Sequence, residues 1–236
     1  MSSKSNELEN DLLQLLFNNV IPGSSVLTNI GSGIQASSTA GSLHVSLHTA
    51  DVGETGSQTT SEMTIQNYAR IAVARSTAGW TVSTNNASNA AQIRFPASGT
   101  FGATNAPQDA RFFAIGTAAT GAGHILYTGH LGDDVNVFNA NASTDQLDVE
   151  DNPYSLDDEV FIFEVPGEAL PTGISRGIYF VLTPSADLFQ ISTTQGGAAV
   201  NFTGDGSGYI ARLVPRTLDN GDAFTFEIGD LDVFED

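Results

Sequence analysis

The chain has no cysteine, so thiol catalysis and disulfide staples are excluded and no oxidising compartment is required. Cations are scarce as well: 8 Lys and Arg stand against 27 Asp and Glu in 236 residues, a formal net charge of −19. A surface of that sign repels phosphate backbones, which argues against nucleic acid as a partner. The same acidity keeps a protein dispersed at high local concentration, which suits display in many copies or a saline habitat. No apolar run approaches the ~20 residues a membrane helix needs, so no membrane partner is expected. MSSKSNELEN at the start lacks the basic and apolar segments of a signal peptide, so the chain is expected to stay in the cytoplasm until assembly carries it out. Its length holds one large β domain or two small ones without a stabilising metal.

What is present is short alternation. SLHVSLHTADVGETG opens the stretch 42–96 around which the rest is organised. Leu43, Val45 and Leu47 alternate with His44, Ser46 and His48, the pattern of a strand with one buried and one wet face. Gly53, Gly56 and a Ser/Thr run make residues 51–61 a loop with nothing apolar to bury. NYARIAVARSTAGWTVS continues as two strands broken at Gly79, and AAQIRFPA adds another that closes at Pro96. Strands so close together, with no helix between them, must pair antiparallel. RFFAIGTA and GAGHILYTGHL then form a hairpin over residues 111–131. Its glycines are not a phosphate loop, because no Lys-Ser/Thr follows them.

Residues 6–18 are predicted to be helical, with Leu8, Leu12, Leu15 and Leu16 as an apolar stripe. Ser5 or Asn6 caps the start, Glu7, Glu9 and Asp11 suit the helix dipole, and Pro22-Gly23 terminates the run. A helix this short is marginal alone and must dock, either on its own sheet or on a neighbouring subunit. Residues 24–40 are a Ser/Gly/Thr-rich connector that becomes ordered against a partner. In the second case Leu8, Leu12, Leu15, Leu16, Ile21, Val26 and Ile30 make the partner-binding surface.

SLHTADVGETG, NYARIAVAR…GWTVS, NAAQIRFP and FFAIGTAATGAGHILYTGHL resemble, in that order, a family of small structural proteins of tailed bacteriophages, labelled tail-fibre-like, decoration or virion proteins. The resemblance covers residues 43–131, and RTLDNGDAFTFEIGDLDVFED is similar to that family's C-terminal strand pair. Between them LPTGI (170–174), IYFVL (178–182), DLFQIS (187–192) and GGAAV (196–200) resemble a second module of phage structural proteins. Because the first family's last strands follow it, the second module reads as an insertion with its ends close together. The fold expected is all-β: an antiparallel β-sandwich over residues 41–139 plus 212–236, a small β module inserted at 140–211, and an N-terminal helix and arm over 1–40.

Few residues suggest chemistry. No G-x-S-x-G elbow is present, and Ser46 and His48 share a strand face with too little between them to define a triad. His44 with His48, and His124 with His130, could bring imidazoles to a transition metal, although strand histidines more commonly face solvent or an interface. Asp133, Asp134, Asp148 and Asp151, in an acidic stretch with Asp145, Glu150, Asp157 and Asp158, are the calcium candidates. Their spacing is not that of an EF-hand, and a solvated acidic loop is the competing reading. Trp80 and the strand Tyr and Phe residues read as packing, which leaves a glycoside cleft without its usual aromatic lining.

The expectation is a non-enzymatic virion protein with no cofactor, most simply a capsid decoration or cement subunit that binds the major capsid protein as a homotrimer. Two alternatives stand beside it. One is a tail-fibre or tail-adaptor subunit bound to tail proteins; the other is a carbohydrate-binding module on the particle, which requires an exposed aromatic platform.

Overall fold

The computed structural model describes residues 4–21, 27, 36–99, 106–133 and 135–234, so Val26, Ile30 and Asp134 lie outside the described residues. It divides into two compact units, Met1–Gly129 with Arg216–Asp236, and His130–Pro215. The protein is all-β with an N-terminal helix.

In the first unit α1 (Asn6–Asn18) is capped by Ser5, whose hydroxyl accepts from the Leu8 amide at 3.3 Å. It ends at Asn19, which takes a left-handed conformation (φ 55°) while the Val20 N–H bonds to the Gln14 carbonyl at 3.1 Å. The stop therefore falls three residues before Pro22, made by an asparagine tolerant of that backbone. The strands are β1 (Ser42–His48), β2 (Ile71–Ala74), β3 (Trp80–Ser83), β4 (Asn86–Asn89), β5 (Ile93–Arg94), β6 (Gln108–Ala110), β7 (Phe112–Gly116) and β8 (Ile125–His130). A four-stranded sheet has the order β2-β1-β7-β8, with Val45 opposite Ile115 and Leu47 opposite Phe113. Leu43, Val45 and Leu47 are all buried, as the alternation requires.

The second unit is a closed six-stranded barrel of β9 (Asn136–Asn141), β10 (Gln146–Asp148), β11 (Glu159–Phe163), β12 (Gly177–Leu182), β13 (Leu188–Ser192) and β14 (Gly206–Arg212). The order β10-β13-β12-β11-β14-β9 closes through a β9–β10 pair and leaves no free edge. Phe138, Leu147, Val160, Ile162, Val181, Phe189, Ile191 and Ile210 fill its interior at 0 % exposure. Tyr154 joins them from a loop, donating its hydroxyl to the Ile210 carbonyl at 3.2 Å. The sequence puts this module at residues 140–211; the barrel's first strand starts at Asn136 and its last ends at Arg212.

The chain then returns to the first unit as β15 (Arg216–Leu218), β16 (Thr225–Phe226) and β17 (Asp232–Phe234). The expected pair is instead three strands, each antiparallel to an earlier one: β15 to β6, β16 to β5 and β17 to β4. With two or three residues each, they are too short to pair stably with one another and use edges already in place.

Candidate functional site

The polar face of β1 differs most from expectation. Ser46 and His48 are both 0 % exposed, because residues 51–62 fold back over the face that alternation marks as wet. The end of this loop runs beside the strand: Thr49 N–H bonds to the Ser61 carbonyl at 2.9 Å, and Met63 N–H to the Leu47 carbonyl at 3.0 Å. The cover is polar except for Val52, which is buried although the loop was expected to hold nothing apolar to bury; one valine makes no pattern, so no apolar signal announced the fold-back. Gln58, also 0 % exposed, accepts from the Ala118 amide at 2.9 Å and donates to the His44 carbonyl at 3.3 Å. Gly116 and Gly123 make room for it, since a Cβ at either would lie 2.2 Å from the Gln58 side chain.

Arg70 locks the arrangement. Its guanidinium forks onto both carboxylate oxygens of Glu62 at 2.7 Å and donates to the Ala118 and Gly121 carbonyls at 2.9 and 2.8 Å. The two side chains are 3 % and 14 % exposed. One arginine thus ties the loop, the strand entry and the β7–β8 turn together.

Within this layer Ser46 and His48 form a hydroxyl–imidazole pair. His48 Nδ1 lies 2.8 Å from the Thr60 carbonyl, which can only accept, so Nδ1 carries the proton. Nε2 then accepts from the Ser46 hydroxyl at 2.8 Å. The outline is that of an activated serine, with a carbonyl where a carboxylate would orient the ring. Burial holds the His48 pKa below its usual value, only partly offset by the Thr60 hydrogen bond and Glu62. Both members are sealed from solvent, so the pair serves to satisfy a buried polar layer.

α1 packs on β3 and β4. Its buried side carries Leu13 and Phe17, both 0 % exposed, along with Glu9 and Asp11. Phe17 sits edge-on to Trp80 with ring centres 4.7 Å apart, and 5.6 Å from Tyr127. Arg75 holds the helix end, donating to the Leu15 and Leu16 carbonyls at 2.6 and 2.7 Å. Leu8, Leu12, Leu15, Leu16 and Ile21, the surface expected to bind a partner, are only half-buried. The helix therefore docks on its own sheet by a face one residue removed from the leucine stripe.

Among the described residues, the calcium candidates Asp133, Asp148 and Asp151 are not gathered. Asp133 pairs with Arg212, which also reaches Asp158 at 3.6 Å. Asp148 stands on β10, and Asp151 lies in a turn where its amide donates to the Asp187 carboxylate at 3.2 Å. Among the described residues no group of three or more His, Asp or Glu is placed to hold a metal ion. His124 is exposed just ahead of β8, and His130 donates from Nε2 to the Asp133 carbonyl at 2.9 Å. No helix among the described residues is long and apolar enough to cross a membrane.

The described residues make a β-rich scaffold in which the hydroxyl–imidazole pair is sealed in a polar layer and the helix braces its own sheet. Comparison with known families gives that scaffold its class, a structural, fibre-type protein of a phage virion. Residues 3–149, more than half of the chain, match the family described as Podophage GP4 fiber I protein gp80, and the chain belongs to it. The match runs from α1 through β1–β8 and ends just after β10. No curated protein and no solved structure matches the sequence. The family is one of fibre proteins and lends no support to the capsid-decoration reading.

Proposed function

We propose that the protein is a non-enzymatic tail-fibre or tail-adaptor subunit, bound to other tail proteins of its virion and assembled from several copies of itself. The observation that carries this is the family match across α1 and the β1 sheet. The half-buried row Leu8, Leu12, Leu15 and Leu16 supports it, being apolar surface on a helix already fixed by Phe17 and Arg75. This row is where a neighbouring subunit docks, and many modest contacts repeated around the particle suffice to hold it.

Immunogold labelling of intact particles tests the placement. Gold confined to the tail is expected; gold spread over the capsid faces restores the decoration reading. Sedimentation of the purified chain counts the copies, with a trimer as the state expected from the sequence. Replacing Leu8 and Leu12 together by Glu is expected to leave the melting temperature within a few degrees and abolish incorporation. Normal incorporation of that variant removes the helix as the docking surface.

A further inference from the structure

The loop over β1 is a strap held down almost wholly by polar contacts. Of residues 51–62 only Val52 is a buried apolar side chain. The grip is a set of hydrogen bonds. The Gln58 N–H donates to the Ala122 carbonyl at 2.9 Å, and the Gln58 side chain joins the Ala118 amide to the His44 carbonyl. The Thr60 carbonyl takes the proton of His48, and the Glu62 carboxylate holds Arg70. Contacts of this kind exchange for water at little net cost, unlike a buried apolar face, so what lies beneath the strap decides whether it stays down.

Beneath it lie two imidazoles, and neither has a place for a second proton. His44 Nδ1 is buried and has no hydrogen-bond partner among the described residues. A proton there finds no acceptor, and the charge of Arg70 opposes it. His48 has both nitrogens engaged, Nδ1 on the Thr60 carbonyl and Nε2 on the Ser46 hydroxyl. Protonation turns Nε2 from acceptor to donor, so Ser46 must swing its own proton to the Ala114 carbonyl, 3.3 Å away. The charges acting on the rings are Arg70, which opposes a proton on either, and Glu62, which favours one on His48 but is already forked onto Arg70. The Tyr68 hydroxyl is occupied by the Leu47 amide at 2.8 Å. On the flanking strands Ala72 of β2 and Gly116, Ala114 and Phe112 of β7 stand opposite His44, Ser46 and His48 and carry no charge. Burial holds both imidazoles below their ordinary pKa.

We propose that residues 51–62 are an acid-released strap, closed over β1 while His44 and His48 are neutral and lifted when they take up protons, uncovering Ser46 and His48. Lifting puts both rings in water, where an imidazole titrates near ~6.5. Each histidine that refuses a proton in the closed form then favours opening by up to about thirtyfold between about pH 7.5 and about pH 5.0. The strap's own bonds to the body are few and polar, so it opens before the apolar layers around it do. What it uncovers is a row of hydroxyl and imidazole groups on β1 that stays sealed at neutral pH. The device belongs to the first unit and acts wherever the subunit sits on its particle.

The test is hydrogen exchange of the full chain, read as protection factors at about pH 7.5 and about pH 5.0, the lower value still above the ordinary carboxylate range. The amides of Gln58 and Met63, bonded to the Ala122 and Leu47 carbonyls, are expected to lose about tenfold or more of their protection at the lower pH. Those of the β3–β4 ladder and of barrel strands β11 and β12 are expected to keep theirs. In His44→Gln and in His48→Gln, whose amides take no proton, the loss is expected to shrink about threefold or more, and in the double variant to vanish. The ratio between the two pH values is taken within each variant, so a substitution that loosens the strap at both still reports. Unchanged protection of Gln58 and Met63, loss that spreads equally to the β3–β4 and barrel ladders, or loss undiminished in the double variant overturns the proposal.

Discussion

Arg70 and Glu62 form a pair that is nearly buried and fully hydrogen-bonded, so removing one partner strands the other. Arg70→Ala is expected to cost ~3–5 kcal/mol in a urea titration. Arg70→Lys should recover only part of this, since an ammonium cannot fork onto the carboxylate and also reach the Ala118 and Gly121 carbonyls. His48 makes a separate prediction in pH. Its pKa is lowered in the folded chain by burial, so as pH falls through ~6.5 the unfolded chain takes up a proton that the folded chain refuses. The unfolded state then binds more protons, and stability falls as pH falls. His44, lowered by burial and by the Arg70 charge, acts in the same direction, while Glu62 and the Thr60 carbonyl oppose the shift at His48. The urea midpoint of the parent is expected to drop between about pH 7.5 and about pH 5.5, and to drop less in His48→Gln. Equal slopes in the two proteins would mean that His48 is not held neutral.

At the scale of elements, α1 separates what patterning conveys from what it hides. Its extent and its Ser5 cap were legible, because both rest on local backbone chemistry. Its buried face was not: Leu12 and Leu13 are adjacent apolar residues, and Glu9, a charged residue on the buried side, pulls the apparent stripe away from Leu13 and Phe17. Phe17→Ala is therefore expected to cost ~3–5 kcal/mol and Leu12→Ala clearly less. Deleting residues 1–23 is expected to strip the cover from Trp80 and loosen the fold around it. A shift of the tryptophan emission to longer wavelength in the truncation checks this. The same limit explains the rest. Alternation gave β1, β2 and the β7–β8 hairpin, but β4, NASN, has no hydrophobic signal and exists because β3 and β17 flank it. The loop over β1 was hidden for a similar reason, since Gln58, Thr60 and Glu62 bury themselves by hydrogen bonds that only a folded β1 and β7–β8 turn can supply.

For the whole molecule, the issue is whether the barrel is a guest. Its root is narrow: Val214 N–H bonds to the Leu131 carbonyl at 2.8 Å, and Gly132 bridges Leu213, so the entering and leaving strands are hydrogen-bonded neighbours. Its interior is closed on itself, with every strand paired on both sides. A segment with adjacent ends, its own core and no open edge has what independent folding requires. The family match stops at residue 149, so it does not extend over β11–β14. Residues 130–215 expressed alone are expected to melt cooperatively, within a few degrees of the barrel's own transition in the full chain. The complementary chain, with a short Gly-Ser linker joining Gly129 to Arg216, is expected to keep β15, β16 and β17 on β6, β5 and β4, because those pairings lie wholly within the first unit. Near-ultraviolet circular dichroism of Trp80 reports on that unit. A barrel that binds a hydrophobic dye and melts without a transition, or a host chain that loses its Trp80 signal, would show that neither part is complete without the other.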